Sequence, residues 1–247
     1  MKFLSWFLVV FVISSLTHAM PVQNAVDNEA RSAADRSLDP KRKPVEVLEF
    51  FGITPGMQVL DIFGGGGYYS EILSYLVGSD GKVTLYNNTP WNSFVTKNVT
   101  QRLQENRLPN VELLTLAPSE LGDVEGRYDA AIFVLGMHDI YYTDEKNGWP
   151  AIDRAGFLNN INKLLKPGGV LGIIDHNAAP GSDPSFVGKT IHRVDPAIVV
   201  KDLEAAGFEL EAESDILRNP DDGLDSLVFD ESIRWQSDRS VLKFRKP

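Results

Sequence analysis

The chain is built from two alternating patterns of apolar and polar residues. Short runs that are mostly apolar predict strands, since a strand buried on both faces carries few polar side chains. Apolar residues spaced three and four positions apart predict helices with one buried face. The predicted strands are 59–62, 82–86, 111–116, 128–135, 170–174, 208–217 and 240–244. The predicted helices are 29–36, 44–51, 69–76, 91–105, 157–165 and 196–206.

The order of these elements predicts the fold class. Strands that alternate with helices indicate a three-layer α/β protein, with a mostly parallel seven-stranded sheet and right-handed crossovers. No helical pattern lies between the last two strands, which a long loop from Arg218 to Arg239 connects. We therefore expect the last strand to pair antiparallel.

Four consecutive glycines, Gly64 to Gly67, join the first predicted strand to the next helix. Residues without a Cβ let a ligand approach the main chain, and the N-terminus of the helix adds unpaired N–H donors. Because ligands of such sheets bind outside the carboxyl ends of the strands, the loop predicts a ligand site. The same rule brings four segments together, at 63–69, 87–88, 136–142 and 175–177.

Composition and charge exclude several classes of protein. With 247 residues, 43% hydrophobic and 23% charged, the chain can bury a sizeable core as a soluble domain. The formal net charge is -10 and no basic cluster could follow a phosphate backbone, so we expect no nucleic-acid partner. The absence of cysteine excludes disulfides, thiolate nucleophiles and zinc sites with cysteine ligands.

The N-terminus has the pattern of a secretory signal peptide. Lys2 precedes an apolar run at 3–16, and Thr17-His18-Ala19 supplies small residues for cleavage after Ala19. The run is short for a membrane span, so we expect export to the periplasm without stable membrane insertion; the alternative is an uncleaved N-terminal anchor. The predicted organisation is a signal peptide at 1–19, a helical segment at 20–54 and the main domain at 55–247.

Three motifs together resemble a known family. Residues 55–61 lead into the glycine loop, Tyr128-Asp129-Ala130-Ala131 opens the fourth strand, and 164–171 read Leu-Leu-Lys-Pro-Gly-Gly-Val-Leu. In this order and spacing they make residues 55–247 similar to class I S-adenosylmethionine-dependent methyltransferases. A narrower resemblance, to exported bacterial proteins described as predicted methyltransferases, rests on 137–141, 175–176 and 242–244. The resemblance implies a Rossmann-like methyltransferase fold, S-adenosylmethionine as cofactor and a small-molecule acceptor.

The resemblance also implies how the cofactor would bind. The glycine loop would pass beneath its methionine part, the ends of the second and third strands would meet the ribose and adenine, and the end of the fourth would border the methyl group. An aromatic face could lie beside the sulfonium. Two positions depart from the family, because Phe63 replaces a glycine and Asn87 or Asn88 replaces an acid. The implied cofactor-binding residues are Asp61, Phe63, Gly64, Gly65, Gly66, Gly67, Tyr68, Asn87, Asn88, Ala117, Leu135 and Gly136.

Two histidines are candidate general bases. Methyl transfer is an in-line displacement that needs mainly positioning, with a base where the acceptor must lose a proton. His138 and His176 follow neighbouring predicted strands, and histidine titrates near neutral pH. Asp139 and Asp175 could orient them or hold the acceptor. The predicted catalytic residues are therefore His138, Asp139 and His176.

Three other functions remain open from the sequence. The chain could be an exported binding protein that keeps the fold without turnover. It could hold a metal ion, with candidate ligands among His138, Asp139, Asp175, His176 and His192; no recognised ligand spacing supports this, so we assign no metal ligand. Nicotinamide binding is disfavoured because Tyr69 stands at the third glycine position of the dinucleotide motif and the second strand lacks an acid.

Overall fold

A mixed sheet of seven strands forms the centre of the computed structural model, which describes residues 21–122 and 125–247. The strand order is β3-β2-β1-β4-β5-β7-β6; the first five strands are parallel, and β7 is antiparallel to both β5 and β6. This confirms the predicted fold class and the antiparallel last strand. The strands are β1 Gln58–Ile62, β2 Lys82–Asn87, β3 Val111–Thr115, β4 Tyr128–Val134, β5 Leu165–His176, β6 Glu209–Ser214 and β7 Arg239–Arg245.

Helices cover both faces of the sheet. They are α1 Ala33–Arg36, α2 Asp39–Arg42, α3 Pro44–Phe51, α4 Tyr68–Val77, α5 Thr89–Leu103, α6 Arg154–Leu164, α7 Pro184–Ile191 and α8 Pro196–Ala205, with a further helical stretch at 21–26. Four 3₁₀ turns lie at Gln104–Asn106, Pro118–Glu120, Met137–Ile140 and Glu145–Asn147. None of the helices described at 21–122 and 125–247 is long and apolar enough to cross a membrane. The predicted signal peptide at 1–19 lies outside the described residues.

Two helices differ clearly from the sequence predictions. The helix predicted at 29–36 is formed only by its last four residues, Ala33–Arg36. The helix Pro184–Ile191 was not predicted, because it is short and Phe186, one of its few apolar residues, is 65% exposed. Its start nevertheless carries the same signal as α8, an aspartate N-cap followed by proline.

The N-terminal segment packs onto the sheet. Val22, Leu48 and Phe51 are buried in one apolar cluster with residues of β1, α4 and β5. Gly172 of β5 makes room for this contact, since a Cβ there would lie 2.6 Å from the Phe51 ring. The opposite face of the sheet buries a second apolar cluster, which contains Phe63. The segment before residue 55 is therefore placed to contribute to a site at the sheet edge.

Candidate active site

The glycine loop leaves β1 in a strained conformation that the neighbouring strand stabilises. Positive φ angles occur at Phe63, Gly65 and Gly67, at 48°, 59° and 82°. The Asn87 amide at the end of β2 holds both polar groups of Gly65: its Oδ1 accepts from the main-chain N–H at 2.9 Å, and its Nδ2 donates to the carbonyl at 3.0 Å. Asn87 is fully buried, so its side chain fixes the shape of the loop.

Phe63, at the position where the family has a glycine, is part of a buried aromatic cluster. Its ring stacks on Phe157 at 5.6 Å and meets Phe133 edge-on at 5.3 Å. Tyr86 and Trp91 complete the contact, at 5.5 and 6.2 Å between ring centroids. A non-glycine residue with positive φ is unfavourable, and this packing offsets that cost. The departure from the family pattern is therefore a core contact that shapes the loop.

Two neighbouring cavities open at the carboxyl ends of the strands. The larger, of about 540 Å³, is bordered by Gly64, Gly65 and Gly66 of the glycine loop and by Leu135, His138 and Asp139 after β4. The smaller, of about 280 Å³, is bordered by Asn88 at the start of α5 and by 117–119 after β3. Asp139 and Trp149 border both cavities. The glycine loop and the predicted catalytic residues thus share one cavity.

His138 lies at the centre of a polar cluster in the larger cavity. Its Nδ1 lies 2.8 Å from Oδ1 of Asp175, whose Oδ2 accepts from the His138 main-chain N–H at 2.8 Å. On the other side of the ring, Nε2 lies 3.2 Å from Nδ1 of His192 and 3.3 Å from Oδ1 of Asp139. His176 borders the same cavity, with its Nδ1 2.6 Å from Oγ of Ser237. The structure therefore brings the three predicted catalytic residues together.

Charge and burial shift the pKa values of the three histidines in different directions. Burial lowers the pKa of His138, but the negative charges of Asp175 and Asp139 outweigh it, so the pKa rises to about 9. Burial lowers the pKa of His176 to about 3 and that of His192 to about 4, and the positive charge of His138 adds to both shifts. Burial raises the pKa of the Asp139 carboxyl. One cation among the three imidazoles is therefore favoured by this environment.

The predicted cofactor-binding residues divide into two groups. Bordering a cavity are Phe63, Gly64, Gly65, Gly66, Tyr68, Asn88, Ala117 and Leu135. The other four, Asp61, Gly67, Asn87 and Gly136, do not border either cavity and instead shape the loops around them. Asn87 in particular bonds Gly65, and a Cβ at Gly67 would lie 2.9 Å from side chains of Leu85 and Arg102.

Asp61, in β1 just before the glycine loop, has a buried carboxylate. We predict that its ionisation makes the stability of the protein depend on pH. The carboxylate is 1% exposed and accepts a hydrogen bond from Ser70. Burial raises its pKa to about 6, against the effect of that hydrogen bond. The folded protein therefore holds this proton more tightly than the unfolded chain, whose Asp pKa is about 3.9. Asp61 therefore lowers the free energy of unfolding as the pH rises from about 4 to about 6. The total decrease is on the order of 3 kcal/mol.

Urea unfolding of the wild type and of Asp61→Asn across this pH range measures that contribution. The amide keeps an oxygen that can accept from Ser70 and cannot ionise, so it is a matched control. We expect the difference in unfolding free energy, wild type minus variant, to fall as the pH rises. A constant difference would contradict the prediction.

Arg42 and Trp91 are among the residues at the larger cavity that sequence reasoning missed. Arg42 comes from the N-terminal segment, and its guanidinium lies over the rings of Tyr68 and Trp235, at 4.4 and 4.8 Å from their centroids. Trp91, on α5, donates from Nε1 to Oδ2 of Asp139 at 2.9 Å. No sequence motif marks either residue as part of a site, because both reach the cavity through tertiary packing.

Comparisons of sequence with known proteins agree with this geometry. A family model described as protein-L-isoaspartate(D-aspartate) O-methyltransferase matches residues 40–116. The ubiquinone/menaquinone biosynthesis C-methyltransferase UbiE of Shewanella sp. (strain W3-18-1) is 27% identical over 135 residues, which are 55% of this chain and 47% of that protein. The chain thus spans about half the length of the curated relatives it matches.

Solved structures share the fold. A S-adenosylmethionine-dependent methyltransferase from Aquifex aeolicus has a TM-score of 0.59 and 19% identity, covering 93% of this chain and 98% of that chain. Aeropyrum pernix fibrillarin, solved with natively bound S-adenosylmethionine, has a TM-score of 0.53 and 13% identity. The match covers 84% of this chain and 76% of that chain.

Together these matches confirm the predicted resemblance. The chain is similar in sequence to methyltransferases and has the fold of solved S-adenosylmethionine-dependent methyltransferases.

Proposed function

We propose that this protein is an S-adenosylmethionine-dependent methyltransferase that acts on a small-molecule acceptor bound in the larger cavity. The observation that carries the proposal is the shared wall: the glycine loop and the cluster around His138 border the same space of about 540 Å³. That volume lies within the range of about 300–1,000 Å³ found for small-molecule sites. A methyl donor on the loop and an acceptor beside His138 would therefore meet without an intervening wall.

The glycine loop fits the methionine part of S-adenosylmethionine. Gly64, Gly65 and Gly66 present main chain to the cavity. Space above the last two is limited, since a Cβ would lie 3.4 Å from the Trp91 ring at Gly65 and 3.2 Å from Asn98 at Gly66. The adenosine part would occupy the smaller cavity, which is bordered by Asn88 and Ala117. When bound, the cofactor supplies an electrophilic methyl group to the acceptor.

Arg42 is the residue that we propose for the cofactor's carboxylate. Among the described residues it forms no ion pair, and its Nε is buried without a hydrogen-bond partner. It lies over Tyr68, the residue that follows the glycine loop. A carboxylate there would satisfy the guanidinium with charge-assisted hydrogen bonds.

We expect Arg42→Ala to weaken binding of S-adenosylmethionine and S-adenosylhomocysteine about tenfold, the low end of the 1.5–3 kcal/mol for a hydrogen bond to a charged group. Calorimetry would measure it. Binding of 5′-methylthioadenosine, which lacks the amino-acid group, should not change. Lys41→Ala, on the same helix but exposed, is the matched control. Equal weakening of all three ligands would contradict the assignment to the carboxylate.

The cavity wall favours an acceptor that is partly apolar. Phe94 and Phe229 border the cavity and are 71% and 56% exposed, and Trp149 stacks on Phe94 at 6.1 Å. His138 and Asp139 supply the polar end of the cavity, where they would orient a hydroxyl or amine of the acceptor. Because the curated relatives are named for ubiquinone and menaquinone biosynthesis, phenolic and quinol compounds are the first acceptors to test.

The experiment that tests the proposed function has two stages. Calorimetric titration of S-adenosylmethionine and S-adenosylhomocysteine should show binding of both, in the micromolar range. An acceptor screen with S-adenosylmethionine labelled at the methyl group should then show label in a small molecule. No detectable heat with either ligand would overturn the cofactor assignment, and label transferred only to protein would overturn the small-molecule acceptor.

We also propose that the enzyme acts after export. The N-terminal pattern of Lys2, an apolar run and Ala19 supports this. Expression of the full chain in a bacterial host should yield a periplasmic protein whose intact mass corresponds to a first residue of Met20. A mass that retains residues 1–19 in a membrane fraction would favour the uncleaved anchor.

A further inference from the structure

Two histidines and an aspartate converge on one point of the larger cavity. Nε2 of His138 lies 3.2 Å from Nδ1 of His192 and 3.3 Å from Oδ1 of Asp139, and one ligand atom from each residue lies within 4.8 Å of the others. His138 and Asp139 belong to the 3₁₀ turn Met137–Ile140, and His192 follows α7. The three residues come from segments more than fifty positions apart in sequence, so no spacing motif could reveal them.

We propose that His138, Asp139 and His192 bind a divalent transition-metal ion of the Zn²⁺ type. Metal–nitrogen and metal–oxygen bonds of about 2.0–2.2 Å at tetrahedral angles place neighbouring ligand atoms roughly 3.3 Å apart. The two shortest separations in the cluster match that value. Two imidazoles with one carboxylate are also a donor set that suits zinc and other first-row divalent ions, and leave a coordination position open.

A buried oxygen of Asp139 points into this cluster without a partner. Its Oδ2 accepts from the Trp91 indole, whereas Oδ1 has no hydrogen bond within the described part of the chain. The side chain is 4% exposed. Burying a carboxylate oxygen without a hydrogen bond is costly, and a metal ion bonded to Oδ1 and to both imidazoles would compensate for the missing hydrogen bond.

Asp175 holds His138 in the orientation that a metal ligand needs. The two Asp175 oxygens accept main-chain N–H groups of His138 at 2.8 Å and His176 at 2.7 Å, which fixes the carboxylate. With Nδ1–H of His138 donated to the same carboxylate at 2.8 Å, Nε2 faces His192, where a metal ion would replace the proton on Nε2. Histidine ligands of metals commonly donate their second ring N–H to a carboxylate in this way.

The competing explanation for the short contact is a proton. His138 could donate an Nε2–H to Nδ1 of His192, which would hold the two rings together without an ion. This alternative leaves Oδ1 of Asp139 without a hydrogen bond, because the 3.3 Å contact with Nε2 lacks hydrogen-bond geometry. The shared proton leaves Oδ1 only its 3.3 Å charge contact with His138, whereas a metal ion would bond all three ligand atoms directly.

Direct binding measurements decide between the ion and the proton. Protein purified without a chelator or a polyhistidine tag would be analysed for metals, then stripped and titrated with Zn²⁺ and Co²⁺ in the absence of any cofactor. We expect one ion per chain and the intense visible absorption of tetrahedral Co²⁺. No binding of either ion to the stripped wild type would overturn the proposal. Because no methyl donor is present, this outcome is independent of the proposed function.

Variants then test the ligand set. His192 has a φ of 56°, a conformation that asparagine tolerates, so His192→Asn removes the imidazole with little strain. We expect His192→Asn and Asp139→Asn to lose the Co²⁺ spectrum and to weaken Zn²⁺ binding by more than the roughly 10–100-fold that loss of an outer-shell partner costs. Asp175→Asn, which changes only the partner of His138, should weaken Zn²⁺ binding by about 10–100-fold.

His176→Asn is the matched control, since its ring belongs to the same cavity but bonds Ser237. We expect it to bind Zn²⁺ with the affinity of the wild type. Circular dichroism and thermal unfolding would check that every variant is folded, and if Asp139→Asn is not, His192→Asn decides. Wild-type affinity in His192→Asn would overturn the proposed ligand set.

Discussion

Gly66→Val should abolish most of the affinity for S-adenosylmethionine while leaving the protein folded. Gly66 borders the larger cavity, and its φ is not in the left-handed region that excludes β-branched residues. A Cβ would already lie 3.2 Å from Asn98, so the two additional methyl groups of valine would press on Asn98 or enter the cavity beside the loop. Overpacking costs about 1–3 kcal/mol, which corresponds to a loss of affinity of about 5- to 150-fold.

Calorimetry with S-adenosylhomocysteine measures this loss, and thermal unfolding checks the fold. The same substitution at Gly65 is unsuitable, because its φ of 59° would strain valine whether or not a ligand binds there. The double variant Gly66→Val with Asn98→Ala removes the neighbour that valine would push. If the cofactor passes over Gly66, the double variant still binds S-adenosylhomocysteine weakly. Recovery of wild-type affinity would instead show that the valine acted through Asn98.

The sequence predicted the sheet well because each strand has a strong physical signal. Strands β1, β4 and β5 are buried on both faces in a three-layer protein and therefore stand out as apolar runs. The loop from 218 to 238 contains no helix or strand, so no crossover helix separates the last two strands and they pair antiparallel as expected. The glycine loop could be predicted for the same reason. It lies directly between β1 and α4, whose apolar patterns are clear in the sequence.

The site was harder to predict, because its parts depend on side-chain direction and tertiary packing. Asn87 was correctly placed at the end of β2, but the sequence could not show that its amide turns back to Gly65. Arg42 reaches the cavity from the N-terminal segment through its contact with Tyr68. His192 faces His138 only because the chain after α7 takes a left-handed conformation. Each of these depends on where separate segments pack, which a one-dimensional pattern does not encode.

A buried ion pair connects the sheet edge to the loop that closes the larger cavity. Arg193 is 0% exposed, donates to both oxygens of Asp222 at 2.8 and 3.0 Å, and also donates to the carbonyls of Asn177 and Ser226. The loop that contains Asp222 continues to Phe229, which borders the cavity. Loss of one partner would therefore leave a charge buried without compensation, next to the cavity wall.

Arg193→Met should lower the free energy of unfolding by about 3–5 kcal/mol, the usual cost of breaking a buried ion pair. Urea unfolding measures this. Lys82→Met is the matched control, because Lys82 pairs with Glu112 at the surface with side chains 49% and 42% exposed, and such pairs contribute about 0–1 kcal/mol. The double variant Arg193→Met with Asp222→Leu should recover part of the loss, since no unpaired carboxylate remains in the interior. A loss in Arg193→Met as small as that of the control would mean that water reaches Asp222 in the folded protein, and that the loop up to Phe229 is held by its apolar contacts instead of by this ion pair.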